Sequence, residues 1–430
     1  MRICVFGLWH LGSVISAGLA KSGHIVVGLD FNPQNIENLQ NSKAPVSEPG
    51  LNELIFENIQ RKTLSFTCDP ALALANTDVL WIAFDTPLDE QDNADPGFIE
   101  KNFDRISGSI QDQTKIIISS QVPVGFTRHL HNTFHERYPD KKVFFSYSPE
   151  NLRLGKALKT FLEPDRIIIG ILPEEKELIF PVFISISERL EWMSIESAEM
   201  TKHAINSFLA ISICFANEVA TLCECIGANA KEVERGLKTE ERIGPKAYLI
   251  PGNAFSGGTL ARDVRFLQNM GKENLLPMHL INSVLESNEF HKKWIQRKCM
   301  ETMGELKGKH IAVLGLTYKP GTNTLRRSIS VELCRWLKDQ GAEVTAFDPA
   351  IRDLPTELQG IFSLSRGIAE SIKDADCTII ATEWPDFQRM DEDIITTIRE
   401  KIIIDPNGFI EKNMRDLSNI RYFAVGRSYS

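Results

Sequence analysis

Short apolar runs alternate with amphipathic segments along the first two hundred residues of the chain. The run RICVFGL, the helix-like stretch SVISAGLAKSG and the run HIVVGLD form a strand–helix–strand unit that ends at Asp30. Similar apolar runs follow at VLWIAFD (79–85), KIIISS (115–120), VFFSYS (143–148) and RIIIG (166–170). Strands that alternate with helices predict a parallel, doubly wound α/β sheet of the Rossmann type.

A long helical pattern begins at about Ile195 and continues, with further helices, to about Lys307. Its most apolar part spans residues 205–223, and polar residues interrupt it, namely Asn206, Asn217 and Glu218. We therefore predict a core helix and expect no membrane association.

A second strand–helix–strand pattern follows the helices. Its apolar runs are HIAVLGL (310–316), AEVTAFDP (342–349), CTIIAT (377–382) and KIIIDPN (401–407), and GELKGKH (304–310) is the predicted linker. The predicted fold is α/β, with two doubly wound Rossmann-like domains joined by a long-helix core. The predicted domains are residues 1–195, 196–307 and 308–430, and the central helices are the predicted dimer contact.

Composition excludes several classes of protein. Hydrophobic residues are 43% and charged residues 24% of the 430, as in ordinary globular proteins, and the net charge is −9 without a basic block. We expect no nucleic-acid partner. The scattered cysteines contain no CxxC pair and no histidine at metal-ligand spacing, so we expect reduced thiols, no metal and a cytoplasmic location. The N-terminus has no secretion-signal pattern.

The first strand leads into a glycine turn, Gly7-Leu-Trp-His-Leu-Gly12. A dinucleotide-binding turn uses three glycines, for a tight bend, for approach to the pyrophosphate and for helix packing. Here Trp9 stands at the second of these places. Asp30 ends the second strand, where its carboxylate can accept from ribose hydroxyls and disfavours a 2′-phosphate. The pattern predicts NAD binding at this turn, including Leu11, and the alternative is a doubly wound domain that binds no dinucleotide.

Two further features have both a structural and a catalytic interpretation. In AFSGGTLARD (254–263), Thr259 follows two glycines and is a suitable helix N-cap, although the stretch could also be a catalytic loop. Lys202 and Asn206 are four residues apart in a predicted helix and so share one face. In isolation that spacing is more typical of a solvated pair than of a catalytic one.

Ordered motifs along nearly the whole chain resemble the nucleotide-sugar 6-dehydrogenase family, which includes UDP-glucose and GDP-mannose dehydrogenases. Besides the glycine turn and the Lys202/Asn206 helix, these motifs are GLD (28–30), PVSEPGLNELI (45–55), DTP (85–87), VPVG (122–125), SPENL (148–152), PDRIIIG (164–170), FANE (215–218), RIG (242–244), PGNAFSGGTLARDVRFL (251–267), GLTYKPGTNTLRRS (315–328), FDP (347–349) and TEW (382–384). The resemblance implies an N-terminal NAD domain, a central dimerisation domain and a C-terminal domain that binds the sugar nucleotide. It also implies a homodimer that oxidises the C6 alcohol of a hexose to a carboxylate in two hydride transfers.

The resemblance also implies roles for individual residues. It places Lys202, Asn206 and Asp263 at the reacting end of the sugar and Glu150 nearby; Lys202 with Asp263 can serve as base, and Asn206 can donate to the reacting oxygen. Arg242 is expected to reach the substrate of a neighbouring subunit. The other expected contacts are Thr86 and Gln121 with the cofactor, and Phe255, Gly257 and Gly258 with the sugar nucleotide. Lys319 and Arg326 are expected near the sugar nucleotide or at the domain interface.

Departures from the family pattern collect around one step of its chemistry. The family loop, approximately PGxxFGGSCxPKD, carries a cysteine that attacks the C6 aldehyde and becomes a thioester, and Thr259 stands at that position. A threonine hydroxyl needs a strong adjacent base to act as a nucleophile, whereas a thiol is partly ionised near neutral pH. Further changed positions are Ser120–Gln121 in place of Ser-Thr, Leu154 for a glutamate, Arg262 for a lysine, and Asn323 and Thr324 for paired aspartates.

Three functions are compatible with these departures. The first is an NAD-dependent nucleotide-sugar oxidoreductase that makes one hydride transfer, giving a carbonyl product or a transient carbonyl for epimerisation or elimination. The second still forms a uronic acid, through an aldehyde hydrate that Thr259 holds. The third is a catalytically silent dimer that binds sugar nucleotides. The expected pathway is the synthesis of a surface polysaccharide or a secondary metabolite, and the base and the hexose are not specified.

Overall fold

The computed structural model describes residues 1–87, 94–150, 152–256, 258–325, 328–414, 417 and 419–427. The strands are β1 Arg2–Phe6, β2 Ile25–Leu29, β3 Leu64–Thr67, β4 Val79–Ile82, β5 Lys115–Ile118, β6 Phe144–Tyr147, β7 Ile167–Gly170, β8 Leu190–Met193, β9 His310–Leu314, β10 Glu343–Phe347, β11 Ser363–Leu364, β12 Cys377–Ile380, β13 Ile402–Ile404 and β14 Arg421–Phe423.

The α-helices occupy much of the remaining chain. They are α1 His10–Lys21, α2 Pro33–Gln40, α3 Leu51–Gln60, α4 Pro70–Leu74, α5 Pro96–Ser107, α6 Phe126–Arg137, α7 Ala157–Leu162, α8 Lys176–Ile184, α9 Ile195–Ile226, α10 Ala230–Thr239, α11 Thr259–Glu273, α12 His279–Lys292, α13 Trp294–Met303, α14 Ile329–Asp339, α15 Ile368–Ile372, α16 Glu392–Ile395 and α17 Glu411–Met414. Two compact units divide the chain within α9, at Ile205 and Asn206.

The first unit is built on an eight-stranded sheet in the order β3-β2-β1-β4-β5-β6-β7-β8. The pairings are parallel, except that β6 and β7 are antiparallel where Tyr147 meets Gly170. The strand order reverses between β1 and β4, which is the switch point where doubly wound folds bind ligands beyond the carboxyl ends of the strands. The predicted doubly wound sheet is confirmed.

Alternate residues of β1 pack on opposite faces of this sheet. Ile3 and Val5 belong to one buried cluster, together with helix α1, and Cys4 and Phe6 belong to another. A parallel strand covered on both faces reads as an unbroken apolar run, which is why the central strands were visible in the sequence.

The second unit contains a six-stranded parallel sheet in the order β11-β10-β9-β12-β13-β14. Its central strand repeats the same alternation, with Ile311 and Val313 in one cluster and Ala312 and Leu314 in the other. The predicted second Rossmann-like sheet is therefore confirmed. Helices α10 to α13 precede it. Helices α9, α11 and α12 contribute to a small apolar cluster that includes Ala210, Phe255 and Val264.

Helix α9 extends over 32 residues. By length and composition alone it is the one helix among the described residues that could cross a membrane. Within the chain, 39% of its most apolar window is buried. Three of its large apolar side chains are exposed at seven-residue intervals, namely Phe208, Phe215 and Leu222. Side chains seven apart lie on one helix face, so α9 presents an apolar stripe to its surroundings.

Candidate active site

The glycine turn between β1 and α1 has the backbone that a dinucleotide turn requires. Gly7 has φ of 92°, and a Cβ on Gly12 would lie 1.7 Å from the carbonyl oxygen of Gly7. Trp9, by contrast, has φ of −76°, which any residue adopts, and its side chain is 54% exposed. The backbone conformation of the turn thus requires glycine at its first and third places, whereas the φ of Trp9 does not require glycine at the second.

Asp30 lies directly after β2, at the carboxyl edge of the sheet. Its Oδ2 accepts from the amide of Leu8 at 2.8 Å, and its Oδ1 accepts from the amide of Asn32 at 2.9 Å. These two bonds fix a half-buried carboxylate where a ribose would need acceptors. The residues of this edge fit an NAD molecule, whose nicotinamide supplies the hydride acceptor when bound.

A second carboxylate reaches the first turn of α1. Asp85 Oδ2 accepts from the amide of Leu11 at 3.3 Å, and that amide is one of those that a pyrophosphate would use. The next residue, Thr86, donates its hydroxyl to the carbonyl oxygen of Gln121 at 2.6 Å. The structure therefore brings Leu11 to Asp85, and Thr86 to Gln121, at the switch-point edge of the sheet.

Two side chains of the first turns of α9 hold the segment that follows β5. The buried Glu199 accepts from the amides of Gly125 and Thr127 at 2.6 and 2.9 Å, and burial raises the pKa of this carboxyl. His203 contacts the carbonyl oxygen of Val122 through Nε2 at 2.9 Å. Neither Glu199 nor His203 was predicted, although both lie within one turn of Lys202.

Lys202 and Glu150 are in direct contact. The Lys202 Nζ donates to the carbonyl oxygen of Glu150 at 2.5 Å and lies 3.2 Å from its Oε1. The lysine side chain is 5% exposed and the glutamate side chain 23%. A buried ammonium held by one carbonyl and one carboxylate is a fixed charge, unlike the solvated helix lysine of the alternative interpretation.

Asn206 and Asp263 form the second predicted pair. The Asn206 Nδ2 donates to Oδ2 of Asp263 at 2.5 Å, and the Asp263 side chain is buried. The two residues are 57 positions apart, and helices α9 and α11 bring them together. A buried carboxylate with an amide donor is a group able to accept a proton at a desolvated position.

Thr259 is the first residue of α11 and is exposed. The prediction that it is the N-cap is wrong, because Gly258 is the N-cap, with φ of 103° and no side-chain cap bond. Only glycine adopts that φ readily. The backbone conformation required at the N-cap therefore selects glycine there, and the threonine hydroxyl falls one position later. Asp263 follows one turn later on the same helix.

Cys214 belongs to the same apolar cluster as Phe255 and could be considered as a substitute nucleophile. Its thiol donates to the carbonyl oxygen of Val284 at 3.3 Å, and burial raises its pKa to about 11. A thiol in that state is a poor nucleophile near neutral pH.

Four polar side chains that were not predicted as site residues hold the loop before α11. Asn288 pairs with both backbone groups of Phe255, His291 contacts the carbonyl oxygen of Gly252, and the remaining two are Asn217 and Asn407. Asn288 and His291 are three residues apart on α12 and so lie on one face of the helix. Two polar residues on one helix face were the sequence pattern that could have indicated their role.

A cavity of about 160 Å³ in the second unit is lined by this loop and by the turn after β9. Asn253, Ala254 and Ser256 of the loop line it, and so does Lys319 of the turn after β9. The pocket also contains Glu383 of the TEW motif, whose pKa is raised by burial. A cavity with a lysine and a helix N-terminus, that of α14, can hold a phosphate-bearing ligand.

The second sheet has its own strand-end aspartate, but its acceptors are already used. Asp348 Oδ2 accepts from the amides of Leu316 and Thr317 at 2.8 and 2.9 Å, and from the indole of Trp384 at 3.0 Å. Asp348 is therefore not available to a ribose in the manner of Asp30.

The remaining predicted residues are placed as follows. Arg242 is exposed and donates to Glu240 at 2.7 Å. Phe255 is buried in the cluster beneath the loop. Gly257 and Arg326 lie outside the described residues. Across the described ranges, no group of three or more His, Cys, Asp or Glu side chains is arranged to hold a metal.

Comparison with known proteins matches nearly the whole chain to one family. Models of the UDP-glucose/GDP-mannose dehydrogenase family match residues 1–186 as the NAD binding domain, 196–290 as the central domain and 312–412 as the UDP binding domain. The UDP-glucose 6-dehydrogenase of Rhizobium meliloti is 32% identical, over 99% of this chain and 100% of its own.

Two solved structures are similar over their full length. The UDP-glucose dehydrogenase of Pyrobaculum islandicum has a TM-score of 0.89 at 30% identity, over 99% of this chain and 98% of its own. The UDP-D-ManNAc dehydrogenase of Pyrococcus horikoshii has a TM-score of 0.87 at 25% identity, over 99% of both chains.

Proposed function

We propose that this chain, which belongs to the UDP-glucose/GDP-mannose dehydrogenase family and is an NAD-dependent nucleotide-sugar dehydrogenase, oxidises the C6 alcohol of a UDP- or GDP-hexose without thioester capture. In the proposed reaction, the C6 carbon loses a hydride to NAD and the hydroxyl loses a proton. The products are an aldehyde, NADH and a proton.

One observation carries this proposal. The Asn206–Asp263 pair is buried and hydrogen-bonded, whereas the position one turn earlier on α11 holds the exposed hydroxyl of Thr259. Groups suited to the first oxidation are therefore present, and the nucleophile of the second oxidation is replaced by a weaker one. Cys214 is buried with a raised pKa, so it does not supply the missing thiolate.

We assign the following roles within the proposal. Asp263 accepts the proton of the C6 hydroxyl, directly or through water, and Asn206 holds the Asp263 carboxylate and donates to the developing alkoxide. Lys202 stabilises negative charge on that oxygen, and Glu150 holds the ammonium of Lys202 in place. Arg242, Phe255, Gly257, Gly258, Lys319 and Arg326 are the proposed substrate contacts. Gly7, Trp9, Leu11, Gly12, Asp30, Thr86 and Gln121 are the proposed cofactor contacts.

The test is the number of NADH molecules formed per sugar. Purified protein is incubated with NAD and a panel of UDP- and GDP-hexoses, with product identification by mass spectrometry. One NADH per sugar with an aldehyde product supports the proposal. Two NADH per sugar would instead support uronate formation through a hydrate held at Thr259. Loss of sugar without net NADH would indicate epimerisation or elimination, and no turnover at all would indicate a binding protein.

We also propose a homodimer that uses the exposed stripe of α9. Phe208, Phe215 and Leu222 are large, apolar and exposed at seven-residue intervals, which is the pattern of a helix that packs on a partner. The side chain of Arg242 is 87% exposed, which supports a role towards a neighbouring subunit. Phe215→Glu should yield a monomer in light scattering, and a wild-type protein that is monomeric would exclude the proposal.

The three-domain division at residues 195 and 307 stays part of this proposal, as does a cytoplasmic location. The latter is supported by the cysteines, all eight of which are free. The synthesis of a surface polysaccharide or a secondary metabolite is the proposed pathway.

A further inference from the structure

The loop before α11, which lines the cavity of about 160 Å³ in the second unit, lacks backbone support. Within the described part of the chain, the backbone groups of residues 251–256 make no hydrogen bond to another backbone group. Buried backbone groups need partners, and here side chains from other elements supply them. The loop conformation thus depends on residues distant in sequence.

Asn288 of helix α12 makes the two backbone hydrogen bonds that a neighbouring strand would make in a sheet. Its Oδ1 accepts from the amide of Phe255 at 3.0 Å, and its Nδ2 donates to the carbonyl oxygen of Phe255 at 2.7 Å. The side chain is 3% exposed, so water does not compete for these bonds. A carboxamide that pairs with both groups of one residue fixes the orientation of that peptide segment.

The other end of the loop is held in the same way. Gly252 donates its amide to Oδ1 of Asn217 at 3.0 Å, and its carbonyl oxygen accepts from Nε2 of His291 at 2.8 Å. His291 is 5% exposed and Asn217 is 2% exposed. Side chains of α9 and α12 thus hold Gly252 from both sides.

We propose that Asn288 and His291 are positioning residues of the dehydrogenase: they hold the loop 252–255 in the shape that receives the sugar nucleotide. This inference rests on the proposed function. The loop lines the cavity through Asn253, Ala254 and Ser256, and it leads directly to α11, which begins at Thr259. Neither Asn288 nor His291 lines that cavity, so their effect on a ligand is exerted through the loop.

The test compares Asn288→Ala with Asn282→Ala on the same helix. Asn282 is exposed and donates to the carbonyl oxygen of Pro277, so its loss leaves the loop untouched. The measurements are hydrogen exchange of the Phe255 amide, affinity for UDP and affinity for NAD, the last two by calorimetry. We expect Asn288→Ala to exchange the Phe255 amide at least about tenfold faster and to bind UDP about tenfold more weakly. A lost side-chain partner of a buried amide justifies that scale.

A merely structural role would lower both affinities together. We expect NAD affinity to stay within about twofold of the wild-type value, with Asn282→Ala normal in all three measurements. Unchanged exchange and unchanged UDP affinity in Asn288→Ala would overturn the proposal, and so would an equal loss of UDP and NAD affinity.

A second pair of variants applies if Asn288→Ala does not fold. His291→Gln keeps a donor for Gly252, whereas His291→Leu removes it. We expect near-normal UDP affinity in the first and a loss of about tenfold in the second, and equal affinities would overturn the proposal. Failure of the proposed function is recognised separately, by a wild-type protein that reduces no NAD with any sugar nucleotide. Hydrogen exchange at the Phe255 amide does not depend on turnover, so it still tests whether Asn288 holds the loop.

Discussion

Replacing Thr259 with cysteine tests whether the chain retains the family's position for a nucleophile. Thr259 is the first residue of α11 and is exposed, so an introduced thiol would lie at a helix N-terminus. Negative charge in the first turn is stabilised by about 0.3–1 kcal/mol. That free energy raises the ratio of thiolate to thiol about 2- to 5-fold and lowers the pKa of the new thiol correspondingly.

The assay has a chemical and a catalytic part. Alkylation by iodoacetamide is followed by peptide mass spectrometry. It should be about 2- to 5-fold faster in Thr259→Cys than in Ser256→Cys, because position 256 lies in the loop before α11 and outside the helix. With an accepted sugar nucleotide, we expect NADH per sugar to rise from one towards two, with a uronate as product. Thr259→Ser, which keeps a hydroxyl, should stay at one.

Two results would refute this reasoning. Equal alkylation of the two introduced thiols would show that the start of α11 does not activate a thiol. Activated alkylation with NADH still at one per sugar would show that Leu154, Arg262 or other changed positions have removed the second oxidation independently of the nucleophile.

Further predictions concern the cofactor turn and the loop. Asp85→Asn should raise NAD affinity several-fold at low ionic strength and less at high salt, because the substitution removes a negative charge from the place of the pyrophosphate. Equal affinities of the variant and the wild type in calorimetry at low salt would contradict this. Gly12→Ala should abolish NAD binding and lower the free energy of unfolding by about 1–3 kcal/mol, because its Cβ would collide with the carbonyl oxygen of Gly7. Gly236→Ala, at a helical position with open space around it, should raise the free energy of unfolding in urea by about 0.5–1 kcal/mol. Burial lowers the pKa of His291, so its contribution to stability is complete above the ordinary histidine pKa and is lost as pH falls below it. His291→Gln should therefore lose less melting temperature than wild type between pH 7.5 and 5.5.

The sequence predicted the central strands because both faces of each are buried. It did not predict β3 or β8, since their side chains alternate between buried and exposed or are only half-buried, and four-residue runs of that kind resemble loops. The N-cap at Thr259 was wrong for a different reason. Local preference favoured a hydroxyl, but the backbone needed a positive φ, and Gly258 supplied it.

The candidate site also has a part that the sequence indicated and a part that it did not. Ordered motifs in the sequence identified Lys202, Asn206 and Asp263 as candidate site residues, but the sequence did not predict their contacts. Lys202 meets Glu150 across 52 positions, and Asn288 meets Phe255 across 33. Partnerships over such separations are set by the packing of helices, which a single sequence does not encode locally.

The side-chain support of the loop also bears on how such an enzyme can change its chemistry. Side chains of α9 and α12 hold the backbone of residues 252–255, and Phe255 is the loop side chain that packs in a buried cluster. A reactive residue beside it can therefore be exchanged without rebuilding the scaffold. One set of residues determines the shape of the loop and another determines its reactivity. Evolution, or a protein engineer, can therefore alter the chemistry beside this loop while its backbone conformation is kept.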